Sequence, residues 1–550
     1  MKNNHRFKFD IWGFITLGII ASYLVFLIFP LAMVLYQAVI DKASKGFTLA
    51  YFLKFFSQPY YLDTLVNSFK VGLCTTLLCV AIGTPLAYFF SVYQIKGKKI
   101  LRILIIIASM SAPFIGAYSW ILLLGRNGVF TNFFHGIGIP VPNIYGFLGI
   151  LLVLTCQLFP LIFLYINGAL KNVDNSLLEA SQSMNIRGPS LFFKVIIPLI
   201  MPTMLAGGLL VFMRAISDFG TPMLIGEGYR TFPVLIFTQF MSEVSGDDGF
   251  ASAIAIVAIV ITAVIFLMQK YASNRFSFTM NALHPIEAKK LKGMKNFWVH
   301  FFSYFVVGIA ILPQVYVIYS SFKNTKGLLF VDGHSLMSYE QAFSRLSNTI
   351  VNTFLIPGVA LFFIVAIAVL IAYLVVRRKN PVTNSVDIMS MIPYIIPGSV
   401  MGIAFKIAFN SNTLAIGGFA LMVIALILRR LPYTIRSSVA ILQQIPMSIE
   451  EASISLGSSK LKTFFKITMP MMASGVISGA ILSWVTLISE LSTAIILYTG
   501  KTKTLTVAIY TEVLRGNYGI AAALSTVLTI MTIISLLFFN ALSKGKDISL

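Results

Sequence analysis

Apolar runs of about 20 residues recur along the whole chain, separated by short polar stretches. A helix of about 20 apolar residues crosses roughly 30 Å of hydrocarbon, so each run predicts a membrane-spanning helix. Twelve are read, near 12–37, 66–91, 101–124, 147–169, 195–225, 253–270, 298–320, 351–376, 386–409, 413–430, 467–497 and 519–542. The spans 195–225 and 467–497 exceed one crossing, which predicts tilting or a break. The apolar stretch after MKNNHRFKF is too long for a signal-peptide core, and no small-residue cleavage site follows; a retained first helix is expected.

The polar stretches contain a repeat. EASQSMNIRGPSLFFKVIIP starts at Glu179, and EASISLGSSKLKTFFKITMP starts 272 residues later at Glu451. They end at Pro198 and Pro470, and Ile216-Ser217-Asp218 answers Ile488-Ser489-Glu490 at the same offset. Upstream, Asn67-Ser68-Phe69 matches Asn352-Thr353-Phe354, and Ala87-Tyr88 matches Ala372-Tyr373, both 285 apart. The 13 extra residues of the first half fall best in the loop Arg126–Pro142, opposite a short loop at Asn410–Thr413. Self-similarity on this scale means two homologous halves. They are read as 1–270 and 298–550, with repeated loops at 176–198 and 448–470 and a polar, basic linker at 271–297.

Composition agrees with a membrane protein: 57% of residues are hydrophobic and 11% charged, against about 25% charged in soluble domains. The net charge of +22 would suit nucleic acid, but its distribution does not. Lys96, Lys98, Lys99 and Arg102, then Lys289, Lys290, Lys292 and Lys295, then Arg377, Arg378 and Lys379, then Arg429, Arg430 and Arg436 fall in alternate loops. The loops between them hold Glu227, Asp247, Asp248 and Glu340. That is the positive-inside pattern. It places both termini and both repeated loops in the cytoplasm, and makes the halves parallel repeats. The expected fold is all-α and polytopic, with about twelve helices in two parallel six-helix halves. Cys74, Cys79 and Cys156 lie within predicted helices and suggest neither a disulfide framework nor a metal site.

Ser176-Leu177-Leu178-Glu179 and Ser448-Ile449-Glu450-Glu451 both read S-x-x-E, the capping-box pattern that opens a helix. The short helices would end at Asn185 and Gly457, residues that tolerate a left-handed turn. A second segment follows, LFFKVIIP or TFFKITMP, whose proline marks entry into the next span. Connecting loops rarely need so fixed a sequence, so its retention in both halves points to an outside contact.

These residues resemble the EAA motif of ABC importer permeases. Glu179, Ala180 and Ser181 match E-A-A, as do Glu451, Ala452 and Ser453; Gly457 matches the motif glycine, and Asn185 replaces it in the first copy. The resemblance implies the type I importer permease fold, with each loop forming a coupling helix for a cytoplasmic ATPase. It implies two ATPase subunits, an extracytoplasmic solute-binding protein, residence in the bacterial inner membrane, no cofactor on this chain and ATP on the partner subunits. Gly500-Lys501-Thr502 echoes a P-loop, but Ile495 stands where its first glycine is required. Ile-Ser-Asp-Phe-Gly-Thr-Pro at 216–222 resembles the ferric-iron permeases. Thiamine, aminoethylphosphonate and polyamine permeases share the two-motif plan.

Within the spans, Ser217, Asp218, Ser489 and Glu490 are the candidates for a path or gate, since acids in hydrocarbon usually face a polar cavity. Asp218 could instead pair with Arg214 four residues earlier; Glu490 has no such partner nearby in sequence. Gly220 and Pro222 suggest a broken helix, and Gly475-x-x-x-Gly479 a close-packing face. A secondary transporter of two six-helix halves is the rival class. It would need an intramembrane proton or sodium relay, and buried acids are few.

Overall fold

A computed structural model of the chain describes residues 10–41, 45–110, 113–241, 248–275, 284, 286–326, 329–409 and 416–542. The expected short loop at Asn410–Thr413, the first nine residues, and residues 276–283 and 285 of the 271–297 linker lie outside that set. Among the described residues ten helices are long and apolar enough to cross a membrane: α1 (Ile11–Val39), α2 (Pro59–Val92), α3 (Phe147–Lys171), α4 (Pro189–Ile216), α5 (Asp248–Tyr271), α6 (Gly293–Ser321), α7 (Met337–Arg377), α8 (Gly418–Gln444), α9 (Lys460–Ile488) and α10 (Tyr518–Phe539).

The two remaining expected spans are bent pairs rather than straight helices. Lys98–Ser109 and Phe114–Gly136 meet at 102°, and Pro381–Ile395 and Gly398–Phe409 at 108°. The second break has a local cause. Ile396 precedes Pro397, whose ring disfavours the helical region for the residue before it, and Ile396 is extended at φ −78°, ψ 125°. The long spans are also broken, as expected. α4 ends at Ile216 and a short helix restarts at Gly220–Ile225; α9 ends at Ile488 and restarts at Ala494–Leu497.

Three five-residue π-helical turns interrupt the spans, at Leu24–Ile28, Phe192–Ile196 and Phe464–Thr468. Each ends two residues before a proline: Pro30, Pro198 and Pro470. Proline cannot donate to the carbonyl four residues back and collides with it. Widening the preceding turn moves that carbonyl aside, and the amides of Phe29, Ile197 and Met469 reach back five residues instead.

The chain forms two compact units. The first holds Lys54–Thr238 and Val260–Lys323; the second holds the chain up to Leu53, Gln239–Ile259 and Asn324 onward. The sequence halves and the compact units are thus different divisions of the chain. In the first unit, α2 and α3 approach closely at Gly83, where a Cβ would sit 2.9 Å from Ile162. Phe90 packs edge-on against Phe163 there, and α6 adds Val299, Val307 and Ala310 to the same core. In the second unit, α9 lies against α8 along the Gly475/Gly479 face; a Cβ at Gly475 would meet Ile441 at 2.5 Å. α1 belongs to this unit, with Phe26 and Phe29 against Phe409 and Trp12 4.5 Å from Tyr373.

Candidate functional site

Each repeated loop is a short helix, a tight turn and a second helix. The helices run Asn175–Ser183 and Met447–Ser455. Neither opens with the expected capping box. In the first copy Asp174, two residues before Ser176, is the cap and accepts from the Ser176 amide at 2.9 Å. Glu179 accepts from the Asn175 side chain at 2.7 Å instead of reaching back to a backbone amide. In the second copy Pro446 occupies the cap position, and Ser448 lies inside the helix. A better acceptor in one copy and a proline in the other set the start earlier than the S-x-x-E pattern implies.

The exits match the expectation. Asn185 and Gly457 take φ of +60° and +86°. Ile186 and Ser458 donate to Ser181 and Ser453, while Asn185 and Gly457 donate to Gln182 and Ile454, all at 2.9–3.1 Å. These are two Schellman turns, closed on the main-chain carbonyl of the third motif residue in each copy. Glu179, Ala180, Glu451 and Ala452 are exposed, and Ser181 is half-buried. Ser453 is buried, its hydroxyl 3.0 Å from that of Thr463. At the tips, Met184 and Leu456 are 75% and 88% exposed.

The paired phenylalanines divide their work. Phe192 packs on Tyr88 with ring centroids 5.0 Å apart, and Phe464 packs on Tyr373 at 4.8 Å. Phe193 and Phe465 are exposed. The Ala-Tyr and Phe-Phe marks, distant in sequence, are two sides of one contact made once per half. At the opposite ends of α2 and α7 the Asn-Ser and Asn-Thr marks also act alike. Asn67 donates to the Arg230 carbonyl, and Asn352 to those of Lys501 and Lys503. The hydroxyls of Ser68 and Thr353 each accept the amide of an incoming segment, Phe232 and Leu505, at 2.7 Å.

Asp218 and Glu490 share one role and differ in another. Each accepts an amide at the start of the short helix after the break: Asp218 that of Thr221 at 2.9 Å, and Glu490 that of Thr493 at 3.1 Å. Ser217 and Ser489, half-buried, end the preceding helices. Among the described residues Asp218 forms no salt bridge, with Arg214 or any other cation. Glu490, which has no partner nearby in sequence, is gripped by two from α8: Arg429 on one carboxylate oxygen and Arg430 on the other. Arg429 also donates to Ser492 at 2.8 Å and Thr493 at 2.6 Å. Its guanidinium lies where a side chain on Gly398 would be, so the bend of the Pro381–Phe409 pair passes directly over this cluster.

Arg429 and Arg430 are therefore no part of a basic loop. They sit within α8, which continues to Gln444, and both pair with Glu490. A signal existed in the sequence: Pro160 and Pro432 keep the 272 offset, which sets Gln157 and Leu158 opposite Arg429 and Arg430. The half with Asp218 lacks the arginines.

A second buried pair was also missed. Glu450, where the first copy has buried Leu178, bonds Arg377 at 2.8 Å, and Arg377 also donates to the Ile445 carbonyl at 2.7 Å. Nearby, at the head of α1, burial opposes the Asp10 charge, but the Arg378 guanidinium outweighs it and holds the carboxyl below its usual range. Among the described residues no cluster of three or more His, Cys, Asp or Glu side chains is placed to hold a metal.

The model of one protein family, the binding-protein-dependent transport system inner membrane component, matches residues 80–278 and again 364–547. The chain belongs to this family. Each matched stretch contains one repeated loop and one of the two acids, so the expectation of a fused, two-half permease of an ABC importer holds. Ferric transport system permease protein FbpB of Actinobacillus pleuropneumoniae is 26% identical, over 95% of this chain and 77% of its own length. Putative ferric transport system permease protein FbpB 1 of Haemophilus influenzae is 27% identical, over 82% of this chain and 72% of its own length. Spermidine/putrescine transport system permease protein PotB of Haemophilus influenzae is 28% identical over 48% of this chain and 93% of its own length. The chain is a multi-pass inner-membrane transport subunit.

Proposed function

We propose that this permease moves ferric iron, delivered by an extracytoplasmic binding protein, and that two separate ATPase subunits dock on its repeated loops. The observation that carries the reading is the pair of loops with the same exit geometry, each presenting an exposed glutamate and an exposed apolar tip. Glu179 and Glu451 supply charge to an ATPase cleft, Ala180 and Ala452 permit close approach, and the turns at Asn185 and Gly457 aim Met184 and Leu456. ATP is bound and hydrolysed on the partners; this chain carries no cofactor. Both termini and both loops face the cytoplasm. The breaks at Ser217-Asp218 and Ser489-Glu490 form the gate, and Asp218 is the acid there that arginine does not already hold. The iron assignment rests on relatives that match most of the chain and are named for ferric transport.

Replacing Glu179 and Glu451 together with alanine tests the docking. Uptake of radiolabelled ferric iron into cells should fall by roughly thirtyfold, the effect of losing about 2 kcal/mol at an interface hot spot, and the ATPase should no longer co-purify. Unchanged uptake without any associated ATPase would sink the importer mechanism. Uptake of spermidine or thiamine in place of iron would overturn only the substrate.

A further inference from the structure

The first loop helix is held at its start by a segment far away in the chain. A helix leaves its first amides without internal partners. At Asn175–Ser183 two of these are served from outside the helix: Asp174 takes the Ser176 amide, and the carbonyl of His284 takes the Asn175 amide at 2.8 Å. His284 belongs to the stretch joining the two halves. Its own amide donates back to the second Asp174 oxygen at 3.2 Å, so the linker and the helix cap exchange a pair of bonds.

The same stretch is tied down again five residues on. Lys289 donates to the Val92 carbonyl at 2.8 Å and accepts from the Gln94 amide at 3.1 Å, while the Gln94 side chain donates to Ala288. Then α6 takes over. Tyr304 donates to the Lys96 carbonyl at 2.7 Å, and the Lys96 amide donates to His300 at 3.2 Å. The described contacts thus lie at the cap of the loop helix, along the end of α2, and at α6. Nothing equivalent serves the second loop: among the described residues the Met447 amide, at the matching position, meets no acceptor.

We propose that residues 284 and 286–292 act as a strap, with His284 as a positioning residue, that fixes the first loop helix for its ATPase and passes its displacement to α6. The proposal rests on the reading of that loop as an ATPase dock. The backbone of His284 makes both bonds, so its imidazole is dispensable. His284→Pro removes the donating amide and His284→Ala keeps it. Asp174→Asn keeps a helix cap but can no longer accept from both amides.

The test is hydrogen exchange of the full-length permease in lipid discs, without ATPase, together with iron uptake by the assembled transporter. Exchange across 175–183 should quicken by roughly two- to tenfold in H284P and D174N, the loss of one hydrogen bond. It should stay at the wild-type rate in H284A. Uptake per ATP hydrolysed should fall in the first two variants alone. Wild-type exchange in both H284P and D174N, or equal acceleration in H284A, overturns the strap. Faster exchange with unchanged uptake per ATP overturns its part in coupling. The exchange arm uses no ATPase, so a failed docking model leaves it readable.

Discussion

The two repeated loops leave their helices in the same way and enter them differently. Both exits have a Schellman turn, an exposed apolar tip, a π-helical turn before a proline and a phenylalanine set on a tyrosine. The entries share little. The first is held by an aspartate cap and a linker backbone, the second by a buried arginine–glutamate pair. Features shown outward or handed to the next membrane helix are kept. Those that only anchor the start can be met by different chemistry in each half. The retained glutamate and alanine are thus exposed surface in both copies, while the residue just before the glutamate is leucine at 178 and a buried acid at 450.

The largest test of this contrast exchanges the anchors. Glu450→Leu installs the residue of the first loop but strands Arg377, whose side chain is 8% exposed. Removing one partner of a buried pair costs about 3–5 kcal/mol. The unfolding midpoint of the purified permease should drop sharply, and adding Arg377→Leu should recover most of the loss. If the single variant unfolds like the wild type, the second entry is not anchored by that pair. A smaller effect separates the shared exits. Phe464 is 1% exposed and Phe192 only partly buried, so Phe464→Ala should cost about 3 kcal/mol and Phe192→Ala clearly less, in the same unfolding measurement. Equal losses would mean that the two tyrosine contacts are equivalent. The smallest effect lies at the turns. Gly457→Ala forces a Cβ into φ +86° and should cost about 1 kcal/mol. Asn185→Gly should change stability by only a few tenths of a kcal/mol. Local hydrogen exchange at the two turns would show the difference, and an opposite ranking would remove the backbone argument for that position.

Much of this was legible in the sequence because it is local or periodic. Apolar run length gave the spans, and the repeat located both loops, both left-handed turns and both helix breaks. The Asn-Ser, Asn-Thr and Ala-Tyr marks were visible as repeats, but their partners were not, since Tyr88 and Phe192 meet only when α2 and α4 pack. The errors share a physical origin. Arg429 and Arg430 look like a loop because two adjacent charges rarely enter hydrocarbon; Glu490, about 60 residues later, removes the objection. The S-x-x-E pattern misplaced the helix starts because it competes with Asp174 and Pro446, which both lie two residues upstream of its serine and win. The bend at Gly398 was hidden in an apolar run, although Pro397 marked it.

The packing of α1 has a consequence for how the protein is made. Asp10, at its head, pairs with Arg378, 368 residues later, and Trp12 rests on Tyr373 and Phe464. At roughly 5–20 residues per second of synthesis, those partners leave the ribosome on the order of 20–90 s after the helix does. For that interval the first helix lies in the membrane without the side chains that cover its tryptophan. The contacts that seat the first helix therefore form only after the second half has been made.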